Sequence, residues 1–267
     1  MISTNATDEP EIPLSGGNSN EGIVRIGNTV RRTMTPERHS VHRVLSFLHS
    51  RGFEACPQFL GIDEQGRETL TYLEGNCSIN PDFSRSERYL VSAAKLLRSY
   101  HDAVAPYQAD ENDQWGYEYP DKSRHEVICH NDFAPYNLIY DDEGFTAIID
   151  FDLAGPGPKI RDVAYAAYWL VPLSLRAEDM KPFGMADVNN NSQRLHQFCS
   201  TYGIQADNDL LDMVSEVLHH MADEAVMIDS LGAEATAKLK AEGHLEHWAG
   251  EAMVFDRDRG LIENNLI

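Results

Sequence analysis

The stretch from residue 127 to residue 152, VICHNDFAPYNLIYDDEGFTAIIDFD, constrains the fold and the chemistry of the chain more than any other feature. Short apolar runs alternate in it with polar turns. This pattern predicts a strand, a loop and then a β-hairpin with its turn at Asp141 to Gly144. The loop and the strand end carry five polar side chains: His130, Asp132, Asn137, Asp150 and Asp152.

A set of groups of this kind is what the transfer of a phosphoryl group requires. One carboxylate orients the attacking hydroxyl and accepts its proton, while an amide oxygen and a second carboxylate hold a magnesium ion. Mg²⁺ binds through one or two carboxylates together with substrate phosphates. A chance His-x-Asp-x4-Asn match is expected in roughly one chain of this length in twenty, so the flanking strands and the following Asp-x-Asp carry much of the argument. The alternative interpretation is an acidic surface hairpin.

The charge of the chain narrows the classes of partner. The 267 residues include 22 Lys and Arg against 43 Asp and Glu, a formal net charge of −21. Such a surface repels the phosphate backbone, which argues against non-specific binding of DNA or RNA. It is compatible with a cationic substrate, but a solvated acidic surface is the favoured explanation of the charge. The acidic residues of the C-terminal helices that are candidates for pairing with ammonium groups of such a substrate are Asp207, Asp209, Asp212, Glu216, Asp223 and Glu224.

Several features predict a cytoplasmic protein without membrane association. No apolar run approaches the ~20 residues of a membrane span, and the longest candidate, residues 163 to 175, is interrupted by Pro172. The first residues, MISTNATDEPEIPL, lack the basic region and apolar core of a signal peptide. Four cysteines lie far apart without a CxxC pair, which predicts buried free thiols. They are Cys56, Cys77, Cys129 and Cys199.

The chain divides by pattern into three parts. Residues 1–10 form a polar tail, and residues 11–73 are expected to hold five short strands and one helix. Thr35 followed by Pro36 predicts the start of that helix, with threonine as its N-cap. Residues 74–267 are mostly helical apart from the strands around the loop and hairpin described above. The fold class is therefore α+β.

The sequence resembles the aminoglycoside phosphotransferase and choline kinase superfamily. The motif HNDFAPYN followed by IIDFD carries the resemblance, which extends upstream to LSGGNSN and VRR and downstream to GPGPKIRDVAYAAY, over roughly residues 14–175. It implies a protein-kinase-like two-lobed fold. The small, mainly β N-terminal lobe would bind nucleotide, and the larger, mainly α C-terminal lobe would carry the catalytic and substrate-binding groups.

The resemblance also implies residue roles in the C-terminal lobe. Asp132 would be the catalytic base, and His130 would brace the loop rather than react. Asn137 and Asp150 would bind Mg²⁺, with Asp152 as an auxiliary ligand or a substrate contact. Outside these five residues, Asp162 is expected to cap its helix and to support the catalytic loop.

On the nucleotide side, the resemblance implies that Arg32 takes the place of the lysine that holds the α- and β-phosphates. The alternative for Arg32 is an ordinary solvated strand residue. The expected glutamate partner on the next helix is missing, because only Glu37 is present and the expected position falls near Val41. Backbone groups of a glycine-rich turn would cover the phosphates, and adenine would bind between Thr71 and Leu73. The turn comprises Gly16, Gly17, Asn18, Ser19 and Asn20.

These observations predict an ATP- or GTP-dependent and Mg²⁺-dependent kinase that phosphorylates a hydroxyl of a small molecule, with cationic molecules among the candidates. An aminoglycoside, an amino sugar or an amino alcohol is a plausible acceptor. The alternative is a nucleotide-binding regulatory protein without transfer activity, which the missing helix glutamate motivates. A protein substrate is disfavoured because the chain has no Asp-Phe-Gly, no Ala-Pro-Glu and no long activation segment.

Overall fold

The structure is a computed structural model that describes residues 9–14, 22–84, 86–171, 173–175, 188–264 and 266. The predicted glycine-rich turn, Gly16 to Asn20, lies outside the described residues, as does most of the polar tail. Within the described ranges, no helix combines the length and the apolar character needed to span a membrane.

The N-terminal lobe is an antiparallel sheet with one helix, as predicted. The strands lie in the order β1-β2-β3-β5-β4, and β3 pairs with β5 so that Arg32 lies opposite Glu68. Their bounds are β1 Ile12–Pro13, β2 Val24–Ile26, β3 Thr29–Arg32, β4 Phe59–Ile62 and β5 Glu68–Thr71. This sheet places the side chains of β3 and β5 next to each other at the side of the lobe that faces the hairpin.

Helix α1, Arg38–Ser50, turns an apolar side inward through Val41, Val44 and Leu48. The prediction that Thr35 caps this helix is wrong. The carbonyl of Thr35 accepts a hydrogen bond from the Arg38 amide at 3.2 Å, which makes a turn ahead of the helix, and no side chain caps its first residue. Arg38 therefore opens the helix with its side chain buried.

The C-terminal lobe contains four short strands and is otherwise helical. Strand β6 pairs with β9, and β7 pairs with β8 as the predicted hairpin; both pairs are antiparallel. The strands are β6 Val127–Cys129, β7 Leu138–Asp141, β8 Gly144–Ile148 and β9 Gly155–Gly157. The helices are α2 Glu87–Val104, α3 Lys159–Leu170, α4 Val188–Tyr202, α5 Asn208–Ala222, α6 Glu224–Leu231, α7 Ala233–Ala241, α8 His244–Asp258 and α9 Gly260–Glu263. Three 3-10 helices comprise Pro81–Ser84, Lys122–Arg124 and Pro135–Asn137.

Helix α2 links the core to the candidate site. Its apolar residues recur at helical spacing and bury one side, which is the pattern of an amphipathic helix packed on a core. From this helix, the Tyr100 hydroxyl donates a hydrogen bond of 2.8 Å to the carbonyl of Ile128 in β6. The next residue, His101, reaches α3 by a contact described below. The helix thereby fixes the strand that leads into the catalytic loop.

Two further features of the fold bear on the predictions. The segment between the lobes touches the hairpin, because the Tyr140 amide donates to the carbonyl of Asn76 at 2.9 Å. All four cysteines are free thiols, and three of them are buried as predicted. Cys77 is exposed, so the prediction of burial is wrong for that residue.

Candidate active site

Asp162 stabilises the loop between β6 and the 3-10 helix at Pro135–Asn137 through hydrogen bonds to its backbone. The carboxylate of Asp162, in the first turn of α3, accepts hydrogen bonds of 2.7 Å from the backbone amides of His130 and Asn131. His101 lies 3.0 Å away on the same carboxylate. Burial alone would raise the pKa of Asp162, but these partners lower it below 3.8. Asp162 is therefore an ionised support for the loop.

His130 joins the catalytic loop to the end of the hairpin. The Asp132 amide donates to Nδ1 of His130 at 3.2 Å, so Nε2 carries the proton and donates to the carbonyl of Ile149 at 3.0 Å. The side chain is fully buried, and burial lowers its pKa. Both ring nitrogens of His130 are engaged in holding backbone, which is the bracing role that the resemblance implies.

Asp132 presents its carboxylate with both oxygens engaged. The Tyr136 hydroxyl donates to Oδ1 at 2.6 Å, and the Asn137 amide donates to Oδ2 at 2.7 Å. Burial raises the pKa of Asp132 to about 7, with the Asp150 charge in the same direction, and both hydrogen bonds oppose the rise. Tyr136 contacts Tyr165 of α3 through the two hydroxyls at 2.8 Å. A carboxylate with a pKa near neutrality is suited to accept a proton.

Asn137 and Asp150 are the predicted magnesium ligands. Because the nitrogen of the Asn137 side chain points to Asp132, its amide oxygen points away from that carboxylate. Asp150 follows β8 in the left-handed region, with φ of 62°, a conformation that aspartate rarely adopts and that commonly marks a functional site. Burial raises the pKa of Asp150 and the charge of Asp152 acts in the same direction, while the charges of Arg32 and Arg38 lower it. A further cation at this place would favour the ionised form of Asp150.

Two arginines from the N-terminal lobe reach these carboxylates. Arg32 of β3 contacts Asp150 at 3.4 Å and Asp152 at 2.5 Å. Arg38, the first residue of α1, also forms an ion pair with Asp152. Both arginines are buried, so Arg32 is not an ordinary solvated strand residue.

The counter-ion of these arginines is a residue that was not predicted from the sequence. Glu68, fully buried at the start of β5, lies 2.7 Å from Arg38 and 3.6 Å from Arg32. Val41, at the position where a helix glutamate is expected, is buried among apolar side chains. One signal was present: Glu68 is a charged residue that begins a strand pairing with β3. The register that brings it opposite Arg32 is visible only in the folded sheet.

The predicted adenine site lies where β5 leaves the sheet. The Thr71 amide donates to the carbonyl of Gln58 at 3.0 Å, and the Tyr72 amide donates to the carbonyl of Asn28 at 2.8 Å. The Thr71 amide is therefore engaged within the sheet. Thr71 lies opposite Thr29, at the other end of β3 from Arg32.

The C-terminal acidic residues give weak support to a cationic substrate. Asp207 and Asp223 cap α5 and α6, while Asp212 pairs with Arg259 at 2.5 Å. Two further pairs involve Glu216 with Tyr119 and Glu224 with Lys240. Five of the six candidates thus have partners within the lobe. Nearer to Asp132 lies a group of aromatic side chains, which includes Tyr136, Tyr165 and Trp169.

The segment before β6 runs directly against the loop that carries Asp152. A Cβ atom added to Gly116 would lie 1.8 Å from the backbone oxygen of Asp152. A Cβ atom added to Gly155 would lie 1.8 Å from the backbone oxygen of Tyr117. Only glycine permits this approach, so the two glycines allow the backbone of the segment to pack directly against the backbone of the loop.

The oxygen donors of the site are of the kind that magnesium binds. Over the described ranges, no group of three or more His, Cys, Asp or Glu side chains is arranged to hold a metal ion. Asn137 supplies an amide oxygen, and the strained Asp150 supplies a carboxylate beside Asp152. In phosphoryl transfer, magnesium is typically bound by a small number of protein oxygens together with the phosphates of the substrate.

Comparison with known proteins agrees with this geometry. The model of the phosphotransferase enzyme family matches residues 108–187, the segment that includes the catalytic loop and the hairpin. The trifolitoxin immunity protein of Rhizobium leguminosarum bv. trifolii is 28% identical over 223 residues, which cover 80% of this chain and 84% of that protein.

Two solved structures show the same fold at low sequence identity. An amicoumacin kinase in complex with AMP-PNP, Ca²⁺ and Ami has a TM-score of 0.58 and 11% identity, with 94% of this chain and 88% of that chain covered. A choline/ethanolamine kinase family protein from Mesorhizobium loti has a TM-score of 0.55 and 16% identity, with 96% and 93% covered.

The family match and the fold together define a small-molecule kinase of protein-kinase-like architecture. The resemblance to the aminoglycoside phosphotransferase and choline kinase superfamily is confirmed.

Proposed function

We propose that the chain transfers the γ-phosphoryl group of ATP or GTP to a hydroxyl of a small molecule. The observation that carries the proposal is the convergence of Asp132, Asn137 and the strained Asp150 beside the buried Arg32. Asp132 would align the acceptor hydroxyl and take its proton, and Asn137 would hold the Asp132 carboxylate by its amide nitrogen. Arg32 would bind the donor phosphates through its planar fork.

Asn137 and Asp150 would hold Mg²⁺, with Asp152 as an auxiliary ligand or substrate contact. The ion would supply charge neutralisation on the phosphates. His130 and Asp162 would keep the loop in place without touching the reacting atoms. Gly16 to Asn20 would cover the phosphates by backbone amides, and adenine would bind beside Thr71 and Leu73.

The proposal extends to the domains and the location. The nucleotide-binding lobe would comprise residues 11–73, and the catalytic and substrate-binding lobe residues 74–267. The end of β5 at Thr71 supports this boundary. The four free thiols support a reducing, cytoplasmic location.

The acceptor class is proposed from the comparisons. The structural neighbours include an amicoumacin kinase and a choline/ethanolamine kinase family protein, which supports a small hydroxyl compound such as an aminoglycoside, an amino sugar or an amino alcohol. The similar immunity protein carries a name that points to defence against a toxin. A panel of acceptors therefore covers aminoglycosides, amino sugars, choline-like alcohols, plain sugars and toxic compounds with hydroxyl groups.

The experiment measures ADP or GDP release with Mg²⁺ over this panel, for the unmodified protein and for Asp132→Asn. Loss of a general base lowers the rate by about 10²- to 10⁴-fold. The control variant Asp121→Asn removes a carboxylate that caps an exposed turn, and its rate stays unchanged. Equal, near-zero rates for the unmodified protein and Asp132→Asn, with nucleotide still bound, would favour the regulatory protein without transfer activity.

A further inference from the structure

One buried group of charges stands at the boundary between the lobes. The Glu68 cluster comprises Glu68, Arg32, Arg38 and His42. One oxygen of the Glu68 carboxylate faces the two arginines, and the other lies 2.6 Å from Nε2 of His42. His42 is itself stacked on Phe59, with ring centroids 3.7 Å apart. Each oxygen of Glu68 thus has its own partner, which fixes the orientation of the carboxylate.

The charges of this cluster are placed in the opposite way to the predicted arrangement. A glutamate was expected on the helix after β3, and the helix instead supplies the cation Arg38. The carboxylate comes from β5, on the strand next to Arg32. The cluster therefore has two cations and one carboxylate where a simple pair would have one of each.

We propose that Arg38 is a second cation for the phosphates of the nucleotide, acting beside Arg32. The proposal rests on the proposed function and deepens it, since it adds a binding residue to the same site. It assigns Glu68 as the anchor that holds Arg38 in reach of the phosphates.

The position of Arg38 supports this role. Its side chain is 5% exposed and that of Arg32 is 10% exposed, so both guanidinium groups lie in a region of low dielectric. The two groups meet on Asp152, the neighbour of the predicted magnesium ligand Asp150. Charged hydrogen bonds are stronger in such surroundings than in water. Arg38 therefore lies, with its two terminal nitrogens on Glu68 and Asp152, beside the carboxylates where the proposed function places the metal ion and the donor phosphates.

A count of charges leads to the same conclusion. Without nucleotide, Asp150, Asp152 and Glu68 face two arginines. A Mg²⁺ ion bound at Asp150 would add two positive charges, so the ion and the two arginines together would exceed the three carboxylates by one charge. The remaining positive charge is buried and needs an anion, because an unpaired buried charge is costly. The phosphates of the nucleotide are anions at that place.

The alternative is that Arg38 is a structural link between the lobes, joining α1 to Asp152. Such a link affects the stability of the protein and leaves its affinity for nucleotide unchanged. The two roles are separated by measuring nucleotide binding and thermal unfolding on the same variants.

The experiment uses the full chain, with a non-hydrolysable ATP analogue and Mg²⁺ as the probe. Calorimetric titration measures the dissociation constant of the analogue. The variants are Arg38→Gln and Arg38→Lys. Arg31→Gln is the matched control, because Arg31 lies beside Arg32 on β3 and pairs with Asp63 at 3.5 Å, away from the site. The melting temperature of each variant and the KM values for nucleotide and acceptor complete the measurement.

We expect Arg38→Gln to bind the analogue with a dissociation constant about 10- to 100-fold higher than that of the unmodified protein, because one charge-assisted interaction is lost. Arg38→Lys keeps the charge and loses the fork, and its constant lies between those of Arg38→Gln and the unmodified protein. KM for nucleotide rises in parallel, KM for the acceptor does not change, and Arg31→Gln behaves as the unmodified protein does.

Two results would overturn the inference, and they differ from each other. If the unmodified protein binds the analogue and Arg38→Gln binds it as tightly as Arg31→Gln, Arg38 is a structural link and the proposed function stands. If the unmodified protein binds no nucleotide, the proposed function fails as well. Where Arg38→Gln does not fold, Arg38→Lys decides, since a constant equal to that of Arg31→Gln contradicts the proposal.

Discussion

Replacement of Asp162 by asparagine tests how much of the stability depends on the support beneath the catalytic loop. The side chain keeps its size and loses its charge. One oxygen remains to accept from a backbone amide of His130 or Asn131, and the new amide group faces the other donor. The contact with His101 loses its charge as well. The perturbation therefore acts on three hydrogen bonds at once.

The magnitude follows from those bonds. A hydrogen bond to a charged group contributes about 1.5–3 kcal/mol, and the substitution removes one such bond and weakens the others. Loss of one partner from a buried ion pair costs about 3–5 kcal/mol. We expect a loss of about 3–5 kcal/mol in the free energy of unfolding, which lowers the melting temperature by roughly 6–20 °C.

The assay is urea unfolding followed by circular dichroism, with the melting temperature from calorimetry. Asp121→Asn is the control, because Asp121 is an exposed cap and its loss changes stability by less than about 1 kcal/mol. A difference between Asp162→Asn and the unmodified protein below 1 kcal/mol at pH 7 would refute the account of Asp162 as a charged support.

The pH dependence provides a second check. The folded pKa of Asp162 lies below its ordinary value of 3.8. A carboxylate of this kind contributes its full stability above the unfolded pKa and loses it as the pH falls through the folded pKa. The difference in stability between the two proteins is therefore constant from pH 8 to about pH 5. It narrows only below about pH 4. A difference that narrows above pH 5 contradicts the assignment.

Two further predictions concern activity and packing. Tyr136→Phe removes a hydrogen bond that lowers the pKa of Asp132, so we expect the acid limb of the kcat/KM profile to move up by roughly one pH unit. An unchanged pH profile would contradict the assigned role of the Tyr136 hydroxyl. Gly116→Ala places a methyl group against the Asp152 backbone and lowers unfolding free energy by about 1–3 kcal/mol. Gly260→Ala, whose nearest neighbour is 4.0 Å away, is the control, and equal melting temperatures for the two would count against the packing argument.

The catalytic loop and the hairpin were predictable because local signals specify them. The apolar runs of β6, β7 and β8 are separated by polar turns, and the turn at Asp141 is closed by a glycine. Residues that are close in sequence were therefore correctly expected to lie close in space. The strands and the helix of the N-terminal lobe follow from the same kind of pattern.

The arrangement of the Glu68 cluster was not predictable in this way. It depends on the register between β3 and β5, which are separated by a helix and another strand, and no local signal sets that register. Arg38 also lies at a helix start where the dipeptide Thr35-Pro36 indicated an earlier beginning. Tyr136 was likewise not singled out, although it lies four residues after Asp132 and bonds to it.

The position of Arg38 at the very start of α1 has a consequence for control of the protein. A helix that carries its ion pair in the middle breaks the pair when it swings outward. A helix that carries the charged residue at its first turn pivots about that residue, and the pair survives the swing. Displacement of the far end of α1 would thus leave Arg38 seated, and a regulator that tilts this helix would act on the charged centre through His42, which contacts Glu68 from the next turn.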